Sequence, residues 1–278
     1  MNIIQAIFLG IIQGITEFFP VSSSGHLIAF RYLFGLEFLE GPQMLAFDIA
    51  LHFGTLLAIG IYFFKDWISL IKNGFNFKQG KEKLSFKNLN REGKMFWYLV
   101  VATIPGALAG FLLDDVIENA VRNNILIIAL ALTVMGILLY IADKYSKSSV
   151  KYEDMTFKQA LIVGISQAFA IIPGFSRSGT TMTTARFLKI DRESAAKFSF
   201  LLGTPIMAGA FAAHLGDIMS IGVDMYLPFI IGIVTSFVVG ILCIKLLMNI
   251  IKKIGFGVFA IYRFILAAAL VITYLVRL

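Results

Sequence analysis

Two polar segments interrupt apolar stretches of this chain, and both contain side chains that could act on a phosphate group. Their polar members are Gln13, Glu17, Ser22, Ser23, Ser24 and His26 in the first segment and Ser176, Arg177, Ser178, Thr180 and Thr181 in the second. A carboxylate or imidazole can move a proton, a serine hydroxyl can attack phosphorus, and a guanidinium fork fits phosphate oxygens. A charged side chain at bilayer depth costs about 2.5–3.5 kcal/mol. Glu17 and Arg177 therefore predict a polar cavity that the two segments build together.

The two segments also resemble each other. Moving the second back by 154 positions pairs Gln13 with Gln167, Ser22 with Ser176, Ser24 with Ser178, and Gly25 with Gly179. Each segment contains a proline and a Ser/Gly cluster, which interrupt a helix. Backbone without helical hydrogen bonds is tolerated at membrane depth only inside protein or along a water-filled cavity. We therefore expect a helix, a break and a second helix over 3–34, and the same over 159–188.

The composition indicates a polytopic helical membrane protein. The 278 residues are 58% hydrophobic and 15% charged, whereas soluble domains carry about 25% charged residues. Six further segments are long and apolar enough to span a bilayer, over about 43–64, 95–113, 122–142, 195–213, 227–250 and 255–276. The net charge of +7 does not indicate a nucleic-acid partner, because the Lys and Arg residues lie in loops between apolar segments and fit membrane orientation better.

The charge of the loops predicts the topology. If both broken segments enter and leave on one side, loops 65–94, 143–158, 189–197 and 245–253 share a face and hold eighteen Lys and Arg. The opposite loops, 35–42, 114–124 and 213–226, hold a single basic residue, Arg122. The positive-inside rule makes the first face cytoplasmic.

The predicted fold is a single all-α membrane domain, 1–278, with six transmembrane helices and two re-entrant helical hairpins. Inverted repeats 1–142 and 159–278 are joined by a basic cytoplasmic loop, 143–158. Inverted repeats whose broken helices meet near the midplane are typical of transporters.

At the second hairpin tip, the residues predict an anion site. Arg177 stands between two serines at an expected helix N-terminus, and Gly174 and Gly179 free the backbone. Free N–H groups, hydroxyls and a guanidinium together favour phosphate binding. The alternative is that Arg177 pairs structurally with Glu17, or that the Ser/Gly cluster is a helix-packing surface.

At the first tip, the residues predict the reacting groups. Glu17 is a candidate base or metal ligand, Ser22 and Ser23 are candidate nucleophiles, and His26 is a candidate proton shuttle. Gln13 lies four residues before Glu17, on the same helix face. The alternative is that the serines only cap a helix and that His26 packs in the core.

Other polar residues carry weaker expectations. Asp48 either approaches the site or ends its span near the headgroups. We expect His52 to make a hydrogen bond within the bundle, Arg263 to pair internally, and His214 to lie at the surface of an outer loop.

The pattern Gln13-x-x-x-Glu17, with Pro20-Val21-Ser22-Ser23-Ser24-Gly25-His26 and Pro173-Gly174-x-Ser176-Arg177-Ser178-x-x-Thr181, resembles the bacitracin-resistance family of undecaprenyl-diphosphate phosphatases. The resemblance covers essentially the whole chain in length, segment order and both motifs. It implies hydrolysis of undecaprenyl diphosphate to undecaprenyl phosphate and phosphate, which recycles the lipid carrier of cell-wall synthesis at the outer face of the bacterial cytoplasmic membrane. By position it implies a site of Glu17, Ser22, Ser23, His26, Ser176, Arg177 and Thr181. Position 13 is Gln, so a mechanism with two acidic residues on that helix would lack one.

We expect Arg177 and the helix N-terminus at 178–181 to hold the diphosphate while Ser23, Ser22 or a water attacks in line. Ser23 is favoured over Ser22, and Glu17 or His26 would take the proton. The remaining expected substrate contacts are Gln13, Ser24, Gly174 and Thr180. A divalent cation (Mg²⁺ or Ca²⁺) at Glu17 is a further expectation, because carboxylate and diphosphate are both hard oxygen donors. A homodimer is left open.

The rival interpretation is a polyprenyl-phosphate transporter or flippase with the same anion site. A transporter needs Arg177, but it has little need of a carboxylate, serines and a histidine on the facing tip. A scaffold or channel gives no reason to confine these groups to two matched turns.

Overall fold

The computed structural model describes residues 1–35, 41–76, 86–122 and 124–278. Parts of the predicted loops 35–42, 65–94 and 114–124 lie outside these residues. The twelve α-helices of the described part are α1 (Ile3–Thr16), α2 (Ser23–Phe34), α3 (Gly41–Tyr62), α4 (Phe64–Gly74), α5 (Arg91–Ala120), α6 (Ile125–Tyr145), α7 (Phe157–Ser166), α8 (Arg177–Phe187), α9 (Arg192–Ala213), α10 (Leu215–Met219), α11 (Val223–Ile254) and α12 (Gly257–Val276). Short 3₁₀ turns lie at Phe86–Asn88, Tyr152–Asp154 and Gln167–Ile171.

Six of these helices are long and apolar enough to cross a membrane: α3, α5, α6, α9, α11 and α12. Each matches a predicted span, so the prediction of an all-α protein with six transmembrane helices is confirmed. Helices α5 and α11 extend past both predicted limits, α3 and α6 are shifted by two or three residues, α9 begins three residues early, and α12 begins two residues late.

The prediction of a continuous loop over 65–94 was wrong at its start. The chain breaks at Phe63 and forms α4, in which Leu70 is buried while Lys65 and Lys72 are exposed. The helix packs on α5, and the Trp97 indole N–H donates to the Gly74 carbonyl over 2.9 Å. Packing of one apolar face against α5 thus stabilises a helix that could not be predicted from this segment because of its many charged residues.

The two broken segments turn in the same way. The breaks lie between α1 and α2 and between α7 and α8, and each ends at a serine with positive φ, 78° at Ser22 and 72° at Ser176. Each serine caps the helix that follows, because its Oγ accepts from the N–H of Gly25 over 3.2 Å and of Gly179 over 3.0 Å. A non-glycine residue at positive φ costs of order 1–3 kcal/mol, so this geometry needs support from its surroundings.

Contacts between the two tips give that support. The Gly174 N–H donates to Ser22 Oγ over 3.1 Å, and Ser178 Oγ donates to the Glu17 carbonyl over 3.2 Å. Arg263 of α12 is fully buried and donates to the carbonyls of Pro20, Gly174 and Phe175 over 2.7, 3.0 and 2.9 Å. The expectation that Arg263 pairs internally is confirmed, with carbonyl dipoles of both tips in place of an acidic partner.

Helices of one half of the chain pack against helices of the other half. Helix α1 packs on α11, and α7 packs on α5. These two pairs are equivalent under the predicted repeat, as are the pairs α3–α11 and α9–α5. The repeat boundaries, the inverted insertion and the re-entrant course of the hairpins stay predictions.

Candidate active site

Glu17 lies at the centre of the site. It is the C-cap of α1, is 6% exposed, and both of its carboxylate oxygens accept hydrogen bonds. Oε1 accepts from Arg177 Nη2 over 2.9 Å, while Oε2 accepts from Ser23 Oγ over 2.6 Å and from Gln13 Nε2 over 3.1 Å. The close approach of Ser23 and Arg177 to one carboxylate joins the two tips chemically.

Arg177 is the first residue of α8, so its side chain projects from the positive end of that helix. Besides Glu17, it donates through Nη1 to the Ser199 carbonyl over 3.1 Å. Gly203 of α9 makes room for it, because a Cβ at that position would overlap the guanidinium. The guanidinium is therefore held in a defined place between α1 and α9.

These groups border one cavity of about 320 Å³, which we call the Glu17–Arg177 cavity. Its polar wall consists of Glu17, Ser23, Ser24, His52, Arg122, Ser176 and Arg177. The remaining wall is apolar, with Ile49, Ile117, Ile171, Met207 and Phe211 among its members. A cavity of this kind can take a phosphate-sized polar group with an apolar substituent.

The structure separates the two candidate nucleophiles. Ser22 is fully buried, and its Oγ accepts from the Gly25 and Gly174 N–H groups. Ser23 borders the Glu17–Arg177 cavity, and its hydroxyl points at the Glu17 carboxylate. Ser23 is thus placed for attack with a base beside it, whereas Ser22 holds the backbone of both tips.

His26 does not reach the cavity, contrary to its expected place beside the reacting groups. It is fully buried; its Nδ1 donates to the Ser22 carbonyl over 2.6 Å, and its Nε2 lies 2.8 Å from the Tyr262 hydroxyl. Because a carbonyl can only accept, neutral His26 leaves Nε2 to accept from Tyr262. Both ring nitrogens are therefore used within the bundle, which fits the packing alternative.

His52 is the site residue that the sequence did not indicate. Its expected hydrogen bond within the bundle is present, from Nδ1 to the Asp48 carbonyl over 2.7 Å. Its other nitrogen, Nε2, lies 3.4 Å from Glu17 Oε2, and the ring borders the cavity. The contact with the Asp48 carbonyl follows from the four-residue spacing of the two residues within α3. The contact with Glu17 forms only because α1 packs against α3.

Asp48 lies behind the cavity wall. Its carboxylate accepts two hydrogen bonds from Arg31, over 2.6 and 2.9 Å, and one from Arg122 over 2.6 Å. Arg122 borders the cavity, and the backbone carbonyl of Asp48 holds His52. Asp48 therefore contacts two residues that line the cavity, Arg122 and His52, but does not line it itself.

The predicted substrate contacts divide into two groups. Ser24 and Ser176 border the cavity, whereas Gln13 and Ser178 contact Glu17 and the first tip. Thr181 donates to the Arg177 carbonyl over 2.8 Å and shares a hydrogen bond of 2.7 Å with Ser199 Oγ.

The last two predicted contacts also lie away from the lining. Thr180 is buried, and its hydroxyl has no hydrogen-bond partner in the described part of the chain. Gly174 joins the two tips through its backbone. Thr181 thus supports the backbone at Arg177, whereas Gly174 and Ser178 join the second tip to the first.

The side chains around Glu17 do not fit a resident metal ion. Both carboxylate oxygens accept from N–H or O–H donors, and a cation would have to displace these donors. Among the described residues, no group of three or more His, Cys, Asp or Glu side chains is placed to hold a metal. The divalent cation stays a prediction.

Comparisons with known proteins give a consistent result over the whole chain. A family model described as "Bacitracin resistance protein BacA" matches residues 6–269. A protein of Caldicellulosiruptor bescii named undecaprenyl-diphosphatase is 46% identical over 277 residues, which cover 100% of this chain and 99% of the relative. Proteins with the same name from Desulforudis audaxviator and Pelotomaculum thermopropionicum are each 43% identical, covering 100% and 98% of this chain and 100% and 97% of the relatives.

Proposed function

Because this chain belongs to the bacitracin resistance protein BacA family, we propose that it hydrolyses undecaprenyl diphosphate to undecaprenyl phosphate and inorganic phosphate. The full-length relatives named undecaprenyl-diphosphatase support this activity. The observation that carries it is the contact of Ser23 Oγ with Glu17 Oε2 at 2.6 Å, next to the Glu17–Arg177 contact at 2.9 Å. A nucleophile, a base and a phosphate-binding cation thus meet in one cavity.

In the proposed mechanism, the terminal phosphoryl group of the diphosphate lies against Arg177. The guanidinium neutralises charge that spreads over the phosphoryl oxygens in the transition state. Ser23 Oγ attacks the terminal phosphorus in line, its proton passes to Glu17, and the bond to the bridging oxygen breaks so that undecaprenyl phosphate leaves.

Water then restores the enzyme. Attack of water on phosphoserine 23 breaks the P–Oγ bond, releases inorganic phosphate and returns a proton to the serine. Glu17 gives the proton from the first step to the leaving phosphate or to solvent. Direct attack by water, positioned by Ser23 and Glu17, is the alternative, and it would leave no phosphoserine.

The site is proposed to open to the outer face of the bacterial cytoplasmic membrane. Ile49 near the start of α3 and Ile117 and Arg122 near the end of α5 border the cavity. Those helix ends carry the loops that are poor in basic residues, which the positive-inside rule assigns to the outside. The diphosphate headgroup could enter there without crossing the bilayer.

Phosphate release by the purified protein in detergent tests the proposal. Wild-type protein should release phosphate from undecaprenyl diphosphate, while Glu17→Gln, Ser23→Ala and Arg177→Ala should each lower kcat by at least about 10²-fold. Ser166→Ala is the matched control, because its Oγ donates only to the Val163 carbonyl within α7. Near-normal rates in the Arg177 variant would refute the mechanism.

The same assay separates the enzyme from the rival transporter. A pure transporter needs two compartments and releases no phosphate in detergent, whereas the hydrolase needs no bilayer. Trapping ³²P on Ser23 from labelled substrate would establish the covalent route, and its absence in a turning-over sample would favour direct attack by water.

A further inference from the structure

The single basic residue of the predicted outer loops turns toward the protein interior. Arg122 lies two residues after the end of α5, and its side chain is 15% exposed. The side chain borders the Glu17–Arg177 cavity. A basic residue in an outer loop runs against the positive-inside rule, and a buried guanidinium needs partners that compensate its charge. The place of Arg122 therefore indicates a role in the cavity.

Asp48 holds Arg122 in place, but it does not depend on Arg122 for its own pairing. Arg31 already donates to both carboxylate oxygens of Asp48, over 2.6 and 2.9 Å, and Arg122 Nη2 adds a third hydrogen bond of 2.6 Å. One guanidinium fork is enough to pair a carboxylate. Because a guanidinium has five N–H donors, Arg122 can hold Asp48 and an oxygen of a ligand at the same time.

The helical spacing of α3 places Arg122 relative to the reacting groups. His52 and Asp48 are four residues apart on one face of α3, which is about one turn of 5.4 Å. His52 Nε2 lies 3.4 Å from Glu17 Oε2, whereas Asp48, one turn nearer the start of α3, contacts Arg122. Arg122 thus stands about one helical turn from Glu17. Two phosphate groups joined by one oxygen can bridge such a separation.

The charges in the cavity leave room for a second cation in substrate binding. Arg177 shares its positive charge with Glu17, whose Oε1 lies 2.9 Å from its Nη2. A diphosphate brings several negative charges, more than one shared guanidinium can neutralise. Among the described residues that line the cavity, Arg122 is the only other arginine or lysine.

We propose that Arg122 binds the inner phosphate of the lipid diphosphate, the one that stays with the lipid, while the terminal phosphate lies against Arg177. The inference rests on the proposed function, because it takes the occupant of the cavity to be a lipid diphosphate. When Ser23 Oγ bonds to the terminal phosphorus, the bond from that phosphorus to the bridging oxygen breaks and its electron pair stays on the oxygen. The inner phosphate then gains one negative charge, and Arg122 neutralises it.

Two arginine variants test the proposal. Arg122→Gln removes the guanidinium from the cavity wall, and Arg31→Gln is the matched control, because Arg31 donates to the same carboxylate but does not line the cavity. In Arg122→Gln, kcat/KM for undecaprenyl diphosphate should fall, and the inhibition constant of undecaprenyl phosphate should rise, each at least about tenfold. Inhibition by inorganic phosphate, which occupies the place of the terminal phosphate, should stay unchanged. The control should stay close to wild type in all three measurements.

Three results would overturn the proposal. Equal losses in Arg122→Gln and Arg31→Gln would show that Arg122 acts only through Asp48. An equal weakening of inhibition by inorganic phosphate would mark Arg122 as a general attractor of anions. Arg122→Lys keeps a charge beside Asp48 but lacks the planar fork, so it should bind undecaprenyl phosphate at least about threefold more weakly than wild type. Wild-type affinity in this variant would also refute the role, even if Arg122→Gln failed to fold.

A binding measurement separates failure of the Arg122 site from failure of the hydrolase. Undecaprenyl phosphate should raise the melting temperature of wild type and of Arg31→Gln in detergent, and should raise that of Arg122→Gln much less. If this pattern holds but wild type releases no phosphate from the diphosphate, the proposed hydrolysis is wrong and the Arg122 site stands. If wild type hydrolyses the diphosphate and Arg122→Gln keeps both its kcat/KM and its stabilisation by this lipid, the Arg122 site is wrong and the hydrolysis stands.

Discussion

A single methyl group at Gly203 should inactivate the protein without unfolding it. The added Cβ would overlap the guanidinium of Arg177, which is the movable end of a flexible side chain. To reach an ordinary contact distance of about 3.5–4.0 Å, the guanidinium must retreat by roughly 2 Å. That shift breaks its 2.9 Å contact with Glu17 and its 3.1 Å contact with the Ser199 carbonyl.

The size of the effect follows from this displacement. Misplacing a catalytic group by about 1 Å can cost about 10²-fold in rate, so Gly203→Ala should lower kcat at least about 10²-fold, or roughly 2.7 kcal/mol in the activation free energy. The backbone should tolerate the change, because alanine favours a helix over glycine by about 1 kcal/mol.

The assay is phosphate release from undecaprenyl diphosphate, together with the melting temperature in detergent. Gly60→Ala provides the control, since a Cβ there meets nothing within 4 Å and Gly60 does not line the Glu17–Arg177 cavity. A Gly203→Ala protein that melts like wild type and keeps more than about a tenth of its kcat would refute the assigned position of Arg177.

Three further variants test other parts of the site. Ser22→Ala should lower the melting temperature, because the N–H of Gly174 loses its acceptor at a cost of about 1–3 kcal/mol. Its kcat should fall far less than that of Ser23→Ala, and equal losses of kcat would contradict the different roles assigned to the two serines. Arg263→Lys should lower the melting temperature by about 5–10 °C, because a lysine cannot reach three carbonyls at once; an unchanged melting curve would remove its joining role. His52→Ala should lower kcat about tenfold through the neighbouring carboxylate at 3.4 Å, and kinetics identical to wild type would restrict His52 to packing.

Much of the fold could be predicted from the sequence, because the physics that sets it is local. Six long apolar runs with few charges predict six spanning helices, and the proline and Ser/Gly clusters predict two breaks. The family resemblance that the two motifs indicated is confirmed by the match over residues 6–269. Helix α4 was missed because its apolar face is short and is stabilised by contact with α5.

The site could be predicted only in outline. Glu17 and Arg177 stood out because isolated charges in apolar segments need partners, and the structure pairs them. The split between Ser22 and Ser23 could not be read from three successive serines, because it depends on the positive φ of Ser22 that turns one hydroxyl inward. The sequence predicted His26 beside the reacting groups and His52 in a hydrogen bond within the bundle, but it is His52 that borders the cavity. The sequence could not show this, because each contact depends on a helix distant in sequence, α12 for His26 and α1 for His52.

Arg263 has a consequence for the biogenesis of the protein. It lies in the last helix and joins the backbone carbonyls of both hairpin tips, at Pro20 and at Gly174 and Phe175. Membrane chains are delivered from the N-terminus onward, so the reacting groups at positions 17 and 23 are made long before the residue that fixes their surroundings. A ribosome-bound chain that lacks α12 would hold every predicted catalytic side chain and still have no finished cavity, and activity should begin only when synthesis is nearly complete.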